Sequence, residues 1–241
     1  MHQILSIIYP FAHFTISLME LVLIGLSIRF WLRSNSLAMI VLPIVLASLS
    51  YDNLVLSMGN LIGEGDLLEN LSMLRFLVHY LVLPLFIVVG VELAHRAGAV
   101  WANQSVRILS WFVAFGLAGI DIATNFVGLE LTPIQFLGIL RYKNAAMTSL
   151  PIITIVVNLF VLLIGGGIWV RLKWSWLFVG ILIALIGNGI PSSIVGTLPG
   201  SASEFVMAIS LLFTEQRTRL TVKPMPSEEE QLKPESLLSG L

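Results

Sequence analysis

Long apolar runs constrain what this chain can fold into more than any other feature of its sequence. Seven of them cover nearly everything before residue 217: 4–30, 37–59, 71–93, 106–128, 150–170, 174–196 and 202–216. Each is close to the ~20 residues that a helix needs to cross about 30 Å of hydrocarbon at a rise of 1.5 Å per residue. The predicted fold is therefore all-α: a polytopic integral membrane protein, a bundle of about seven transmembrane helices.

The composition supports this class and excludes others. Hydrophobic residues make up 57% of the 241 residues and charged residues 11%, whereas soluble domains carry roughly 25% charged residues. The basic residues form no patch, so we expect no nucleic-acid partner. The chain has no cysteine, which excludes thiolate nucleophiles and thiolate metal ligands.

The basic residues also predict an orientation, because Lys and Arg collect in cytoplasmic loops. Ten of the thirteen fall on one side of an alternating seven-span topology. These are Arg29, Arg33, Arg96, Arg107, Arg171, Lys173, Arg217, Arg219, Lys223 and Lys233. We therefore predict a transmembrane domain over 1–216 with its N-terminus outside, in the plasma or inner membrane. Residues 217–241, rich in charge and proline, are predicted to be a disordered cytoplasmic tail.

The loop from 129 to 149 is the longest between the runs. Thr132 is a typical N-cap, and Pro133 suits the first position of a helix. This pattern predicts a short interfacial helix on the outer face. A plain connector fits Arg141, Tyr142 and Lys143 equally well.

Polar residues of separate runs share one depth. Counting from the predicted loop ends places them in the outer half of the membrane, and only the acid Glu20 lies clearly lower. An unpaired charge at the bilayer centre costs about 2.5–3.5 kcal/mol on insertion scales, so these residues are expected to meet inside the bundle. The catalytic candidates are Asp52, Asp121, His79 and Arg75. The supporting candidates are Asn53, Asn125, Asn158, Asn188 and Glu204.

Two pairings follow from spacing. Arg75 is the expected counter-ion of Asp52, because the second and third runs are joined by a short loop and should be antiparallel neighbours. Asp121 and Asn125 lie four residues apart and so share a helical face. A structural role for the same residues stays open, since buried ion pairs and asparagines also hold helices together.

Other polar residues have simpler interpretations. His79 could be an ordinary core histidine, and His13 lies alone on its face. Glu204 could close a capping box in "SASE", residues 201–204, at the start of the last helix. The segment "GNGIPSS", 187–193, should break the sixth helix at Pro191. The residues at the cytoplasmic end of the third run are expected to be a solvated helix end, namely Glu92, His95 and Arg96.

Several known chemistries are excluded by missing motifs. No lysine lies at membrane depth, as a retinal protein would require, and no two histidines have the spacing of a helical zinc site. The GxSxG, Walker and dinucleotide-binding patterns are absent. The sequence therefore predicts no metal site and no cofactor.

In length, span count and the presence of acids in the second and last spans, the chain resembles the small seven-span terpene cyclases that work by acid protonation. This resemblance is one of architecture, without their motif residues, and it would assign acid roles to Asp52 and Glu204 alone. Three function classes stay open. They are an enzyme acting on a lipid or isoprenoid by acid–base chemistry, a proton- or ion-coupled transporter, and a non-catalytic membrane subunit or assembly factor. Membrane lipids are the expected partners, and the sequence indicates no oligomeric state.

Overall fold

The computed structural model of the chain is mostly helical and describes residues 2–145 and 151–221, with side chains from residue 6 onward. Its helices are α1 (His2–Ser34), α2 (Ala38–Ile62), α3 (Asp66–Val82), α4 (Leu85–Arg96), α5 (Gln104–Asp121), α6 (Ile152–Leu172), α7 (Trp176–Gly189), α8 (Ser192–Val195) and α9 (Leu198–Thr221). A π-helical turn, Ile122–Phe126, continues α5. The helix α9 passes the predicted domain boundary at 216, and the rest of the predicted tail lies outside the described residues.

Five helical segments of the described chain are long and apolar enough to cross a membrane. They are Ser6–Ser34, Ala38–Ile62, Asp66–Arg96, Gln104–Phe126 and Ile152–Leu172. This confirms a helical protein with several membrane-compatible helices, but it does not confirm the predicted number of seven. Helix α7 has 14 residues, a length of about 21 Å, and α9 is long enough but rich in polar residues.

Prolines interrupt two of the predicted spans. The third span is divided at Leu83–Pro84, where α3 ends and α4 begins. The predicted break in the sixth span is present, because α7 ends at Gly189 and α8 begins just after Pro191. In both places proline lacks the N–H that would continue the helical hydrogen-bond ladder.

The central helix of the bundle is α4, whose residues from Leu85 to Ala94 are all buried. Helix α4 packs against α2, α5, α6 and α9, while α1 packs on α2 and α9, and α7 packs on α9 and α6. The outward faces of α1, α5 and α6 expose large apolar side chains, among them Phe11, Phe112 and Leu163. Such a surface suits contact with lipid chains rather than water.

A β-hairpin occupies the loop where the sequence predicts an interfacial helix. Strands β1 (Leu131–Phe136) and β2 (Ile139–Asn144) are antiparallel, with Pro133 opposite Tyr142. The turn residues Leu137 and Gly138 have φ of 49° and 76°, as a type I′ hairpin turn requires. The predicted helix is therefore wrong, and the all-α class holds only with this exception. Both strands are edge strands, where a proline is tolerated.

The hairpin covers one end of α1, α2 and α3. The side-chain amide of Asn60, near the end of α2, donates a hydrogen bond to the Gly138 carbonyl. The N–H of Gly65, just before α3, donates to the Tyr142 hydroxyl at 3.2 Å. These bonds fix the hairpin over the polar interior of the bundle.

Candidate functional site

The ion pair expected between α2 and α3 is present. Arg75 Nη1 donates to Asp52 Oδ1 at 3.2 Å, and Nη2 donates to the backbone carbonyl of Tyr142, also at 3.2 Å. The Arg75 side chain is 6% exposed, whereas that of Asp52 is 20% exposed. One guanidinium therefore joins α2, α3 and the hairpin, and the carboxylate stays accessible.

Asp121 closes α5 directly before the π-helical turn. It is buried, and Asn125 Nδ2 donates to its Oδ1 at 2.7 Å. The Asn125 carbonyl in turn accepts a hydrogen bond from Asn144 Nδ2 at 3.3 Å. The predicted Asp121–Asn125 contact is thus present, and it is tied to strand β2.

His79 and Tyr80 are two further polar residues of α3. The buried atoms His79 Nδ1 and Tyr80 Oη have no hydrogen-bond partner within the described part of the chain. The charges of Asp121 and Glu204 lie within electrostatic range of His79. Acids from α5 and α9 therefore share one neighbourhood with the histidine of α3.

Glu204 does not cap the last helix. Helix α9 begins at Leu198, with Pro199 in its first turn, so Ser201 lies inside the helix and the predicted capping box is wrong. Glu204 is buried and accepts a hydrogen bond from Asn188 Nδ2 of α7 at 3.3 Å. Asn158 is buried on α6, and its Nδ2 has no partner among the described residues.

A second polar chain connects α1, α2 and the start of α9. His13 Nδ1 lies 2.7 Å from Asn53 Oδ1, and His13 Nε2 lies 2.9 Å from Thr197 Oγ1. Asn53 Nδ2 donates to both carboxylate oxygens of Glu20, at 3.1 and 3.3 Å. Since the amide nitrogen faces the carboxylate, the amide oxygen accepts from His13 Nδ1, which leaves Nε2 to accept from the Thr197 hydroxyl.

Sequence reasoning missed the importance of His13 and Glu20. Counting residues from the predicted loop ends places these two side chains at different depths, because they lie about 10 Å apart along α1. The missed signal is spacing: His13, Ser17, Glu20 and Ser27 follow a heptad pattern, and all four are buried. Ser17 also bonds to the Ser50 carbonyl on α2 at 2.9 Å. A polar stripe on an apolar helix indicates the face that turns inward.

The opposite end of the bundle contains two more buried acids. Glu215 accepts hydrogen bonds from Ser34 and Ser36 and forms an ion pair with Arg96 at 3.2 Å. Glu92 is 3% exposed and pairs with Arg107 Nε at 2.7 Å. The predicted solvated helix end is therefore wrong for Glu92, whereas His95 is exposed and Arg96 is half-buried. The reason is that α5 follows α4 after a short turn and brings Arg107 against the end of α4.

Arg141 on strand β2 is a cation without an anionic partner. Its Nη2 lies 3.4 Å from Ser192 Oγ, and no carboxylate of the described residues is within ion-pair distance. Burial lowers the pKa of Arg141 to about 10, the nearby charge of Arg75 acts in the same direction, and Asp52 opposes both. The group remains a cation at neutral pH.

An apolar groove of about 510 Å³ lies between α2 and α3. Pro43, Ala47 and Tyr51 line its α2 side, and Leu74, Val78 and Val82 line its α3 side. Leu74 is exposed on the outward surface of the bundle. Tyr51 and Val78 directly precede Asp52 and His79 in the chain, although neither Asp52 nor His79 lines the groove itself.

No protein-family model, curated protein or solved structure matches the chain. Within residues 2–145 and 151–221, no three His, Asp or Glu side chains are grouped so that they could hold a metal ion. The function has to be argued from the chemistry of the site itself.

Proposed function

We propose that this protein is a membrane enzyme that moves a proton on a lipid or isoprenoid substrate bound in the α2–α3 groove. The observation that carries the proposal is an apolar groove in which two lining residues, Tyr51 and Val78, directly precede the titratable residues Asp52 and His79. Groove walls of aliphatic side chains with a few polar groups at one place are typical of sites for apolar ligands.

Asp52 is the best candidate for the group that meets the substrate. Its side chain is 20% exposed, whereas Asp121 and Glu204 are almost completely buried. The bond to Arg75 holds the carboxylate in one orientation, as a general base acting on a bound substrate requires.

His79 and Asp121 form the second half of the proposed acid–base pair. His79 follows the groove residue Val78, and its buried Nδ1 has no hydrogen-bond partner among the described residues. Asp52 takes a proton from one atom of the substrate, and His79 returns a proton to another. Proton exchange with water then returns Asp52 and His79 to their starting states, so the two steps together are an isomerisation that needs no oxidant, reductant or second substrate.

The proposal includes a seven-span bundle with its N-terminus outside. Helix α9 is too polar to face lipid, but its polar side chains Glu204, Thr214 and Glu215 are buried against other helices. Helix α7 is short, and α8 extends it beyond Pro191. In this arrangement the hairpin and the groove end lie in the outer half of the membrane.

Solvent deuterium tests the proposal with a mixture of substrates of the proposed class. Vesicles containing the purified chain, total lipid extract, prenyl alcohols and prenyl quinones are incubated in D2O, and the lipids are analysed by mass spectrometry. We expect a lipid that gains carbon-bound deuterium with the wild-type chain. The Asp52→Asn variant should slow the gain by roughly 10²-fold or more, the usual contribution of a general base.

Asp66→Asn is the matched control, because it makes the same chemical change at an exposed position in the first turn of α3. It should label lipids at the wild-type rate. No deuterium gain with wild type above protein-free vesicles, or equal gain with Asp52→Asn, would refute the proposed enzyme.

A proton-coupled transporter is the second candidate, because one observation favours it. The buried stripe of His13, Ser17, Glu20 and Ser27 follows α1 through the bundle, and the α7–α8 break resembles the interrupted helices of transporters. This function predicts proton movement across sealed vesicles when a substrate gradient is applied. A trapped pH dye that responds in wild type but not in Glu20→Gln, with no deuterium gain, would favour transport.

A further inference from the structure

Two guanidinium groups lie where the hairpin meets the bundle, since Arg141 is on strand β2 and Arg75 Nη2 donates to the carbonyl of the next residue, Tyr142. Arg75 is bonded to Asp52, and Arg141 lies within electrostatic range of both of them. The described residues place no second acid at ion-pair distance from either guanidinium. The local excess of positive charge attracts an anion.

Both guanidiniums also have donors to spare. Arg75 Nε is buried and has no hydrogen-bond partner among the described residues. Within the described part of the chain, Arg141 makes one long hydrogen bond, 3.4 Å to Ser192 Oγ, although a guanidinium has five N–H donors. Planar guanidinium forks match the oxygens of phosphate better than any other side chain does.

We infer that Arg141, with Arg75 and Ser192 beside it, binds the phosphate group of an amphiphile whose hydrocarbon chain lies in the α2–α3 groove. Tyr51 links the two parts, since it lines the groove and packs against the apolar cluster that contains Tyr142, the residue next to Arg141. That this amphiphile is the substrate rests on the proposed function. The substrate class is then a phosphorylated isoprenoid or lipid.

The position of Arg141 fits a headgroup site. It lies on the hairpin, outside the helical segments that could cross the membrane, and it reaches toward α8 and α1. Its side chain is partly exposed. A phosphate at the membrane surface could therefore reach Arg141 while the attached chain stays among the helices.

Binding is measured with the full chain in nanodiscs of neutral phosphatidylcholine, with empty discs as the baseline for partitioning. The probes are farnesyl phosphate, farnesol and inorganic phosphate, titrated by calorimetry. We expect saturable binding of farnesyl phosphate only. Arg141→Gln should weaken it about tenfold or more, because a charge-assisted hydrogen bond is lost.

Lys143→Gln is the matched control. Lys143 lies two residues from Arg141 on the same face of β2 and is exposed. The variant removes the same charge from the same strand and should leave the affinity within about twofold. Equal weakening by both variants would show a general charge effect and overturn the inference.

The other outcomes are equally decisive. Inorganic phosphate binding as tightly as farnesyl phosphate would identify a soluble anion as the ligand and overturn the amphiphile assignment. Farnesol binding as tightly as farnesyl phosphate, or full affinity for farnesyl phosphate in Arg141→Gln, would show that the protein has no phosphate site at Arg141. Farnesyl phosphate that binds through Arg141 in a chain that labels no lipid in D2O supports this inference and refutes the proposed enzyme. Lipid labelling in D2O that is the same in Arg141→Gln as in wild type supports the proposed enzyme and refutes this inference.

Discussion

The buried guanidinium of Arg75 donates to both a carboxylate and a backbone carbonyl. We therefore expect the stability of the site to depend on Arg75 more than on any other residue. Replacing Arg75 with Ala leaves Asp52 and the Tyr142 carbonyl without their donor. We expect a loss of about 2–3 kcal/mol in the free energy of unfolding, below the value for a fully buried pair because Asp52 is partly exposed. Unfolding in mixed micelles, followed by circular dichroism, measures this loss.

The double variant Arg75→Ala/Asp52→Asn should be more stable than Arg75→Ala alone, since no uncompensated charge remains. A double-mutant cycle in which the two substitutions are simply additive would contradict this prediction.

The same residues show how far a sequence predicts a site. Asp52 and Arg75 could be paired from the sequence because they lie at one depth on helices joined by a short loop. His13 and Glu20 could not be paired by depth, because Asn53 on another helix bridges the distance between them. Counting along a helix locates Cα atoms, whereas long side chains meet wherever a third residue can join them.

At the scale of elements, the hairpin depends on its turn. Gly138 has φ of +76°, and a β-carbon there would overlap the backbone of Ser6 on α1. Gly138→Ala should therefore separate the hairpin from the bundle. Hydrogen exchange across 131–144 should rise, and the melting temperature should fall.

Gly63→Ala is the control for backbone strain alone, because Gly63 has φ of +81° with open space around its β-position. It should cost about 1–3 kcal/mol, because the φ of 81° and ψ of 171° at Gly63 fall in a region that nearly only glycine adopts, and it should leave exchange in the hairpin unchanged. Equal exchange in the two variants would mean that the contact with Ser6 does not hold the hairpin.

Most helices were predictable and the hairpin was not, for one physical reason. A run of about twenty apolar residues has few alternatives to a helix in a membrane, because every backbone polar group must be bonded within the segment. The segment around Thr132 and Pro133 carries a local helix-start signal that is weak. Contacts with Asn60, Gly65 and Arg75 override it, and none of these contacts is visible in the segment itself.

At the scale of the whole molecule, the number of crossings decides where the site lies. The loops between the first five candidate spans alternate between the two faces of the membrane in the same way, whether or not α7 and α9 cross it. In a seven-span protein, the turn before α7 and the residues of α8 lie on opposite sides of the membrane. In a five-span protein they lie on the same side.

The chain has no cysteine, so single cysteines can report sidedness without background. Glu64→Cys, Lys173→Cys and Ser193→Cys place a thiol at exposed positions before α3, before α7 and within α8. With a membrane-impermeant maleimide on intact cells, seven spans with an outside N-terminus require labelling at 64 and 193 and protection at 173, because the basic residues hold the loop at 173 in the cytoplasm. All three should label after permeabilisation.

Protection at 193 with labelling at 64 would show that α7 does not cross the membrane. Labelling at 173 alone would invert the predicted topology and move the hairpin, the groove end and Arg141 to the cytoplasmic face.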